Sequence, residues 1–358
     1  MNVAAVDTDS IIADSWQARI KGFPQVRYMG SKVRLLPWIA DIVQDLPFFS
    51  ALDPFSGSGA VSFLFKALGK RVVSSDFLNF PTTLSAAIVE NSTTTLSQGT
   101  LDFLIEPDPS APDFILRTFS GIFYTPADLQ FLDSVSFRIR QLQNPQERAL
   151  ALAALLRSCA KRQPRGVFTV SDPERYKDGR RDLKLTLREH FLEQVPLFNK
   201  TVFDNGTVCR AFRGDVFSLP AEAREVDLVY LDPPYVPRSD DNCYVKRYHF
   251  LEGLSQYWDD LEILQHSKVR KLAKPYTPFS YRRDAMDAFD RMFRQFADST
   301  IVLSYSSNGY PDRETLVGLL SRYKPQIQVH SKAHTYHFGT HSQALRTKVA
   351  EYLIVGTC

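Results

Sequence analysis

The sequence predicts an α/β fold: a doubly wound, mainly parallel sheet, closed by an antiparallel hairpin and interrupted by a helical insertion. Three observations carry this expectation. Strand, glycine turn, helix and strand succeed one another between residues 49 and 76. The same α/β pattern, lost after about residue 100, returns near 207. Two strand-like segments close the chain at 327–336 and 348–356. Buried parallel strands read as short apolar runs bounded by turn residues, and these segments have that form.

Residues 1–24 have no clear period and read as an N-terminal tail or packing arm. RYMGSKVRLLPWI (27–39) is a loop leading into an amphipathic helix that ends near Gln44. FSALD (49–53) is a short buried strand, Gly57 and Gly59 turn the chain into a helix over 60–68, and KRVVSSD (70–76) is a second strand ending in an acid. A helical stretch then runs to about Leu96. EPDPSAP (106–112) packs three prolines into seven residues, which breaks helix and sheet alike, so a domain boundary is expected there. Helical spacing follows at 127–142 and 146–161, with Asn144-Pro145 between them as a stop and start signal. TVCRAFRGD (207–215), VDLVYLDPPY (226–235) and TIVLSYSSNG (300–309) restore the strand pattern. The expected division is an arm at 1–24, a discontinuous α/β domain at 25–100 and 201–358, and a helical insertion at 101–200.

Composition excludes several classes. With 44% hydrophobic and 23% charged residues over 358 positions, the chain is globular rather than disordered. No apolar run approaches the ~18–20 residues that span a bilayer. The opening MNVAAVDTDSIIAD carries acids rather than a basic stretch, so no secretory signal is expected and the cytoplasm is the expected location. Four cysteines (159, 209, 243, 358) stand far apart without a C-x-x-C pair, which argues against a disulfide scaffold and a thiolate zinc site. Histidines 330, 334, 337 and 341 sit in strand and loop rather than on one helix face, so no metal site is expected. The net charge of +3 hides two basic segments: 157–188 has ten Lys/Arg against four acids, and 268–283 has six against none. Each is either a phosphate footprint or a solvated basic face.

Open α/β sheets bind ligands beyond the carboxyl ends of their strands. Asp53, Asp76, Asp215 and Asp232 all fall at such ends. In DPFSGSG (53–59) the glycines allow backbone to approach a ligand, and Asp76 at the next strand end is where a carboxylate reaches a ribose diol. Together they favour an adenosine-containing cofactor, although GSG without a third glycine fits a pyrophosphate cradle poorly. DPPY (232–235) is more specific. Two prolines stiffen the turn and remove two N–H donors, leaving an acid, free carbonyls and an aromatic ring. That set can accept hydrogen bonds from a flat amine while stacking on its ring.

DPFSGSG resembles the cofactor motif, and DPPY the catalytic motif, of amino-methylating DNA methyltransferases. With RYMGSK before the first motif and an insertion between the two, the order resembles the Dam-like, class-alpha adenine-N6 enzymes, over roughly residues 25–358. The resemblance implies a Rossmann-like S-adenosylmethionine methyltransferase sheet with a mostly helical target-recognition insertion. It implies that Tyr28, Gly30, Ser31, Lys32, Asp53, Phe55, Gly57, Gly59, Asp76, Asp215 and Val216 bind S-adenosylmethionine. Asp232, Pro233, Pro234 and Tyr235 are implied to be catalytic, and a flipped adenine the target. Lys161, Arg162 and Arg165, in LRSCAKRQPRGVFTVSD (156–172), and Lys246 and Arg247, after the catalytic turn, are the expected DNA contacts. Tyr248 and Phe250 belong either to that loop or to the core. The implied partner is double-stranded DNA; a companion restriction endonuclease is left open, as is a monomeric or weakly dimeric state. A cytosine-N4 or RNA amino-methyltransferase and a catalytically idle DNA-binding module are the alternatives. The aspartate heading DPPY favours adenine over cytosine, and the intact motif and Asp76 argue against an idle module.

Overall fold

The computed structural model describes residues 15–164, 166–169, 179–236, 244–337 and 346–358. The chain opens with a short helix, α1 (Trp16–Lys21), capped by the Ser15 hydroxyl. It packs against the sheet-side helix that follows the glycine turn, with Phe23 tilted on Phe63 and the Arg19 guanidinium 3.7 Å from the Phe203 ring centroid. The described part of the N-terminal segment is therefore a packing arm.

Residues 27–32 form a loop with Gly30 at φ +78°, and α2 (Leu36–Val43) follows it. β1 (Ser50–Asp53) leads through the glycine turn into α3 (Ala60–Ala67), and β2 (Arg71–Asp76) into α4 (Asn79–Ser85). A π turn over Ala86–Glu90 extends α4, so the helix stops short of the expected Leu96. The next helices are α5 (Gln98–Ile105), α6 (Phe114–Phe119), α7 (Pro126–Gln141), α8 (Pro145–Arg162) and α9 (Leu187–Asn199). Their starts are written in the sequence. Thr125 and Asn144 each precede a proline at the first helical position and cap with their side chains, and Thr186 forms a capping box with Glu189. The proline-rich run 106–112 is a loop joining α5 to α6, tied to α7 through the Asp108 N–H on the Ser134 hydroxyl.

β3 (Arg210–Arg213), β4 (Leu228–Leu231), α10 (Tyr244–Ser255), α11 (Arg282–Gln295), β5 (Thr300–Ser306), α12 (Arg313–Leu320), β6 (Gln326–His337) and β7 (Arg346–Thr357) complete the chain. The seven strands are ordered β3-β2-β1-β4-β5-β7-β6. The first five run parallel, while β7 is antiparallel to both neighbours, giving the expected closing hairpin.

Alternating residues of the buried strands feed two cores. Ala51, Leu228, Tyr230 and Val302 enter one; Leu52, Val229, Leu231, Ile301 and Leu303 enter the other. The first core is continuous with α2, α3, α4 and the helices from α5 to α9, including Leu132, Leu150, Leu155 and Phe191. The second is closed by α11 and α12. Among the described residues, no helix is long and apolar enough to cross a membrane.

Candidate active site

The strand order reverses between β1 and β4, and the cleft opens beyond the carboxyl ends of these strands. The sequence-expected residues that line it are Tyr28, Gly30, Ser31, Lys32, Asp53, Phe55, Gly57, Asp76, Asp215, Val216, Asp232, Pro233, Pro234 and Tyr235. Gly59 stands behind the lining as the N-cap of α3, with φ +75°, and a side chain there would press on the Ser85 hydroxyl.

The glycine turn is built for close approach. Gly57 has φ +50°, and a Cβ there would lie 2.8 Å from the Tyr28 ring. Its N–H donates to Asp76 Oδ2 at 2.9 Å, while Leu78 N–H donates to Oδ1. Asp76 therefore braces the turn as well as facing the cleft. Burial, opposed by these donors, raises its pKa to about 6. Asp53 is more deeply enclosed, and burial raises it to about 7 despite the Ser62 hydroxyl donating to Oδ2 at 2.7 Å. Its Oδ1 has no hydrogen-bond partner among the described residues. Asp215 caps the turn Val216–Ser218 by accepting from Phe217 N–H, and it lines the cleft together with Gly214 and Val216.

The DPPY turn meets the loop at residues 27–32 across the cleft. Lys32 Nζ lies 2.8 Å from Asp232 Oδ2 and donates to the Gly30 carbonyl at 3.1 Å. Burial opposes the lysine charge, but Asp232, with Glu351 beyond it, holds its pKa above the ordinary value. Burial likewise raises Asp232, with Lys32 counteracting. Tyr235 is set edge-on to Tyr305 of β5, ring centroids 5.5 Å apart.

A tyrosine stack forms a further wall. Tyr28 lies nearly parallel to Tyr248 at 5.2 Å and stacks on Tyr244 at 5.5 Å, and the Tyr248 hydroxyl accepts from Met29 N–H at 2.7 Å. Tyr248 and Phe250 are both buried, which settles their place in the core. Tyr244 and the wall from Pro275 to Ser280 also line the cleft, and sequence reasoning missed both. The spacing of Tyr244 and Tyr248, one helical turn apart in a tyrosine-bearing segment, was the available signal for the first. The second comes from irregular chain that carries none.

The expected DNA contacts divide. Arg162 is a correction: its guanidinium turns inward, pairing with Asp128 at 3.1 Å and donating to the Leu183 and Leu185 carbonyls. Asp128 in turn accepts from Leu187 N–H, so Arg162 clamps α7, α8 and the start of α9 together. Lys161 is partly exposed and pairs with Asp182. Lys246 and Arg247 lie in the first turn of α10, where the Arg247 carbonyl accepts from Phe168 N–H. Arg165, Cys243 and His341 lie outside the described residues.

The acid and aromatic ring of the DPPY turn line one cleft with the glycine turn, the set that the sequence resemblance ties to enzymes that methylate an exocyclic amine. Residues 28–306 match the D12 class N6 adenine-specific DNA methyltransferases, and the chain belongs to that family. It is 27% identical over 328 residues to the Type II methyltransferase M2.HphI of Haemophilus parahaemolyticus, covering 88% of this chain and 92% of that protein. It is 26% identical to the Type II methyltransferase M.FokI of Planomicrobium okeanokoites, covering 83% of this chain but 47% of that larger protein. Identity to the Type II methyltransferase M.NlaIII of Neisseria lactamica is 23%, over 79% and 84% of the two chains. The protein is an adenine-N6 DNA methyltransferase.

Proposed function

We propose that the cleft takes S-adenosylmethionine as methyl donor and a flipped adenine as acceptor. The observation that carries this reading is the buried Asp53 Oδ1, left without a partner beside Asp76 and Asp232 in one cleft. Three desolvated carboxylates favour a ligand that brings positive charge. The glycine turn supports it too: it lines the same cleft, and Gly57 packs so closely on Tyr28 that any side chain there would clash.

Tyr28, Gly30, Ser31 and Lys32 would close over the methionine end, and Asp53, Phe55, Gly57 and Gly59 would hold the turn beneath it. Asp76 would take the ribose hydroxyls, and Asp215 with Val216 the adenine edge. When bound, the donor supplies an electrophilic methyl group on a sulfonium. Everything else falls to the chain. The target adenine must leave the duplex to reach the cleft, and Tyr235 offers the ring on which it stacks. Asp232 and the Pro233 carbonyl each accept one amine hydrogen, drawing the nitrogen toward tetrahedral geometry and aiming its lone pair along the line of transfer. Pro233 and Pro234 keep the acceptors rigid, so positioning and electrostatics do the catalysis. Lys32 holds Asp232 through Oδ2, leaving its other oxygen to the substrate.

In this reading the helices between 101 and 200 carry target recognition, and Lys161, Arg165, Lys246 and Arg247 contact the DNA. The proposed setting is the cytoplasm, with double-stranded DNA as the partner and a monomer or weak dimer as the acting form; whether a companion restriction endonuclease accompanies it stays open. The test is methyl incorporation into duplex DNA from labelled donor, with nucleoside mass spectrometry of the product. N6-methyladenine should form and should vanish with Asp232→Ala; undiminished incorporation by that variant would remove Asp232 from the chemistry.

A further inference from the structure

We propose that Tyr276 is a stacking platform for an unstacked nucleobase of the DNA at the mouth of the cleft. The proposal rests on the DNA methyltransferase reading and adds a surface that the DPPY and glycine motifs do not supply. Between α10 and α11 the chain runs through an irregular segment containing the second basic cluster. Pro275 and Thr277 line the cleft, so the residue between them stands on its rim. Tyr276 is 58% exposed, more than Phe77, an exposed ring that lines the cleft.

The ring is held at two points. It stacks on Tyr281 with centroids 5.5 Å apart and planes 15° from parallel, and its hydroxyl donates to Asp284 at 2.9 Å. An exposed tyrosine with no task rotates freely; this one is pre-ordered at little further entropic cost on binding. Two cations stand beside the pair: Lys274 Nζ is 4.9 Å from the Tyr281 ring centroid, and Arg283, ion-paired with Asp284, approaches the same ring. Arg282 sits over the Tyr310 ring at 4.3 Å. An ordered aromatic face among cations is the chemistry that binds unpaired nucleic acid, in which stacking holds bases and charge follows the backbone. Flipping one base exposes the faces of its neighbours at this mouth, so such a base is available there.

The experiment measures binding of a duplex containing the methylated site by fluorescence anisotropy, with donor affinity measured separately. Tyr276→Ala should raise the DNA Kd roughly tenfold, the scale of one lost base stack, and leave donor affinity unchanged. Tyr276→Phe, which keeps the ring, should stay near wild type. A fluorescent base analogue beside the target adenine should be quenched on binding by wild type and Tyr276→Phe but not by Tyr276→Ala. Unchanged Kd and quenching in Tyr276→Ala would overturn the platform. Wild-type protein that neither binds nor methylates DNA would instead overturn the reading beneath it.

Discussion

Replacing Lys32 with methionine removes the charge facing Asp232 while keeping the bulk of the side chain. The ammonium is 2.8 Å from Asp232 Oδ2, and the two side chains are 6% and 21% exposed, so little solvent enters to replace it. A hydrogen bond to a charged group contributes about 1.5–3 kcal/mol. If that interaction orients Asp232 in the transition state, its loss at ~1.4 kcal/mol per decade lowers the methyl-transfer rate roughly 10–100-fold. The pH dependence must also move. In the proposed mechanism Asp232 acts as a carboxylate; burial raises its pKa, Lys32 lowers it, and Glu351 raises it further. Without the lysine, Asp232 takes up its proton at higher pH, so the acid limb of the rate profile shifts upward. Single-turnover methylation across the acid limb reads both effects, and calorimetry gives donor affinity separately. Lys32→Arg should recover part of the rate. An unmoved acid limb, with the loss confined to donor affinity, would refute the argument and leave Lys32 as a donor contact only.

Asp53→Asn should change stability with the opposite sign to an ordinary paired carboxylate. The folded-state pKa of about 7 lies above the usual value of 3.8, so the folded protein binds this proton more tightly. That contribution is complete below the unfolded pKa and is lost as pH rises toward about 7. Donor-free Asp53→Asn should therefore melt higher than wild type above neutrality and close to it in acid, while binding donor more weakly. Thermal scans at two pH values and calorimetry check this. Gly57→Ala meets both a left-handed backbone and the Tyr28 ring. It should cost about 1–3 kcal/mol of stability, read by denaturant titration, and greatly weaken donor binding.

The ends of β1, β2 and β4 were legible because burial writes short apolar runs that stop at an acid, which assigns Asp53, Asp76 and Asp232 to one end of the sheet. β3 is partly exposed, and Asp215 was legible only from the acid that closes its segment. The caps at Thr125, Asn144 and Thr186 were legible for an equally local reason. The Lys32–Asp232 pair was not, because it joins residues 200 positions apart and only the tertiary fold brings them together. Arg162 failed differently. A charge count cannot distinguish a cation facing solvent from one whose carboxylate lies 34 residues upstream. The wall from Pro275 to Ser280 has neither helical nor strand period, so its place at the cleft depends wholly on packing.

The shared core has a consequence for engineering new specificity. Leu132, Leu150, Leu155 and Phe191 are fully enclosed together with residues of the sheet and its flanking helices. Excising 101–200 as a cassette would strip that face of the sheet and expose a large apolar surface, with folding lost before recognition could be tested. The helical bundle is thus not a module to be exchanged between relatives. On the proposal that these helices carry target recognition, retargeting proceeds by substitution on their outer surface and loops, with the buried faces of α7, α8 and α9 and the Arg162–Asp128 clamp left as they stand.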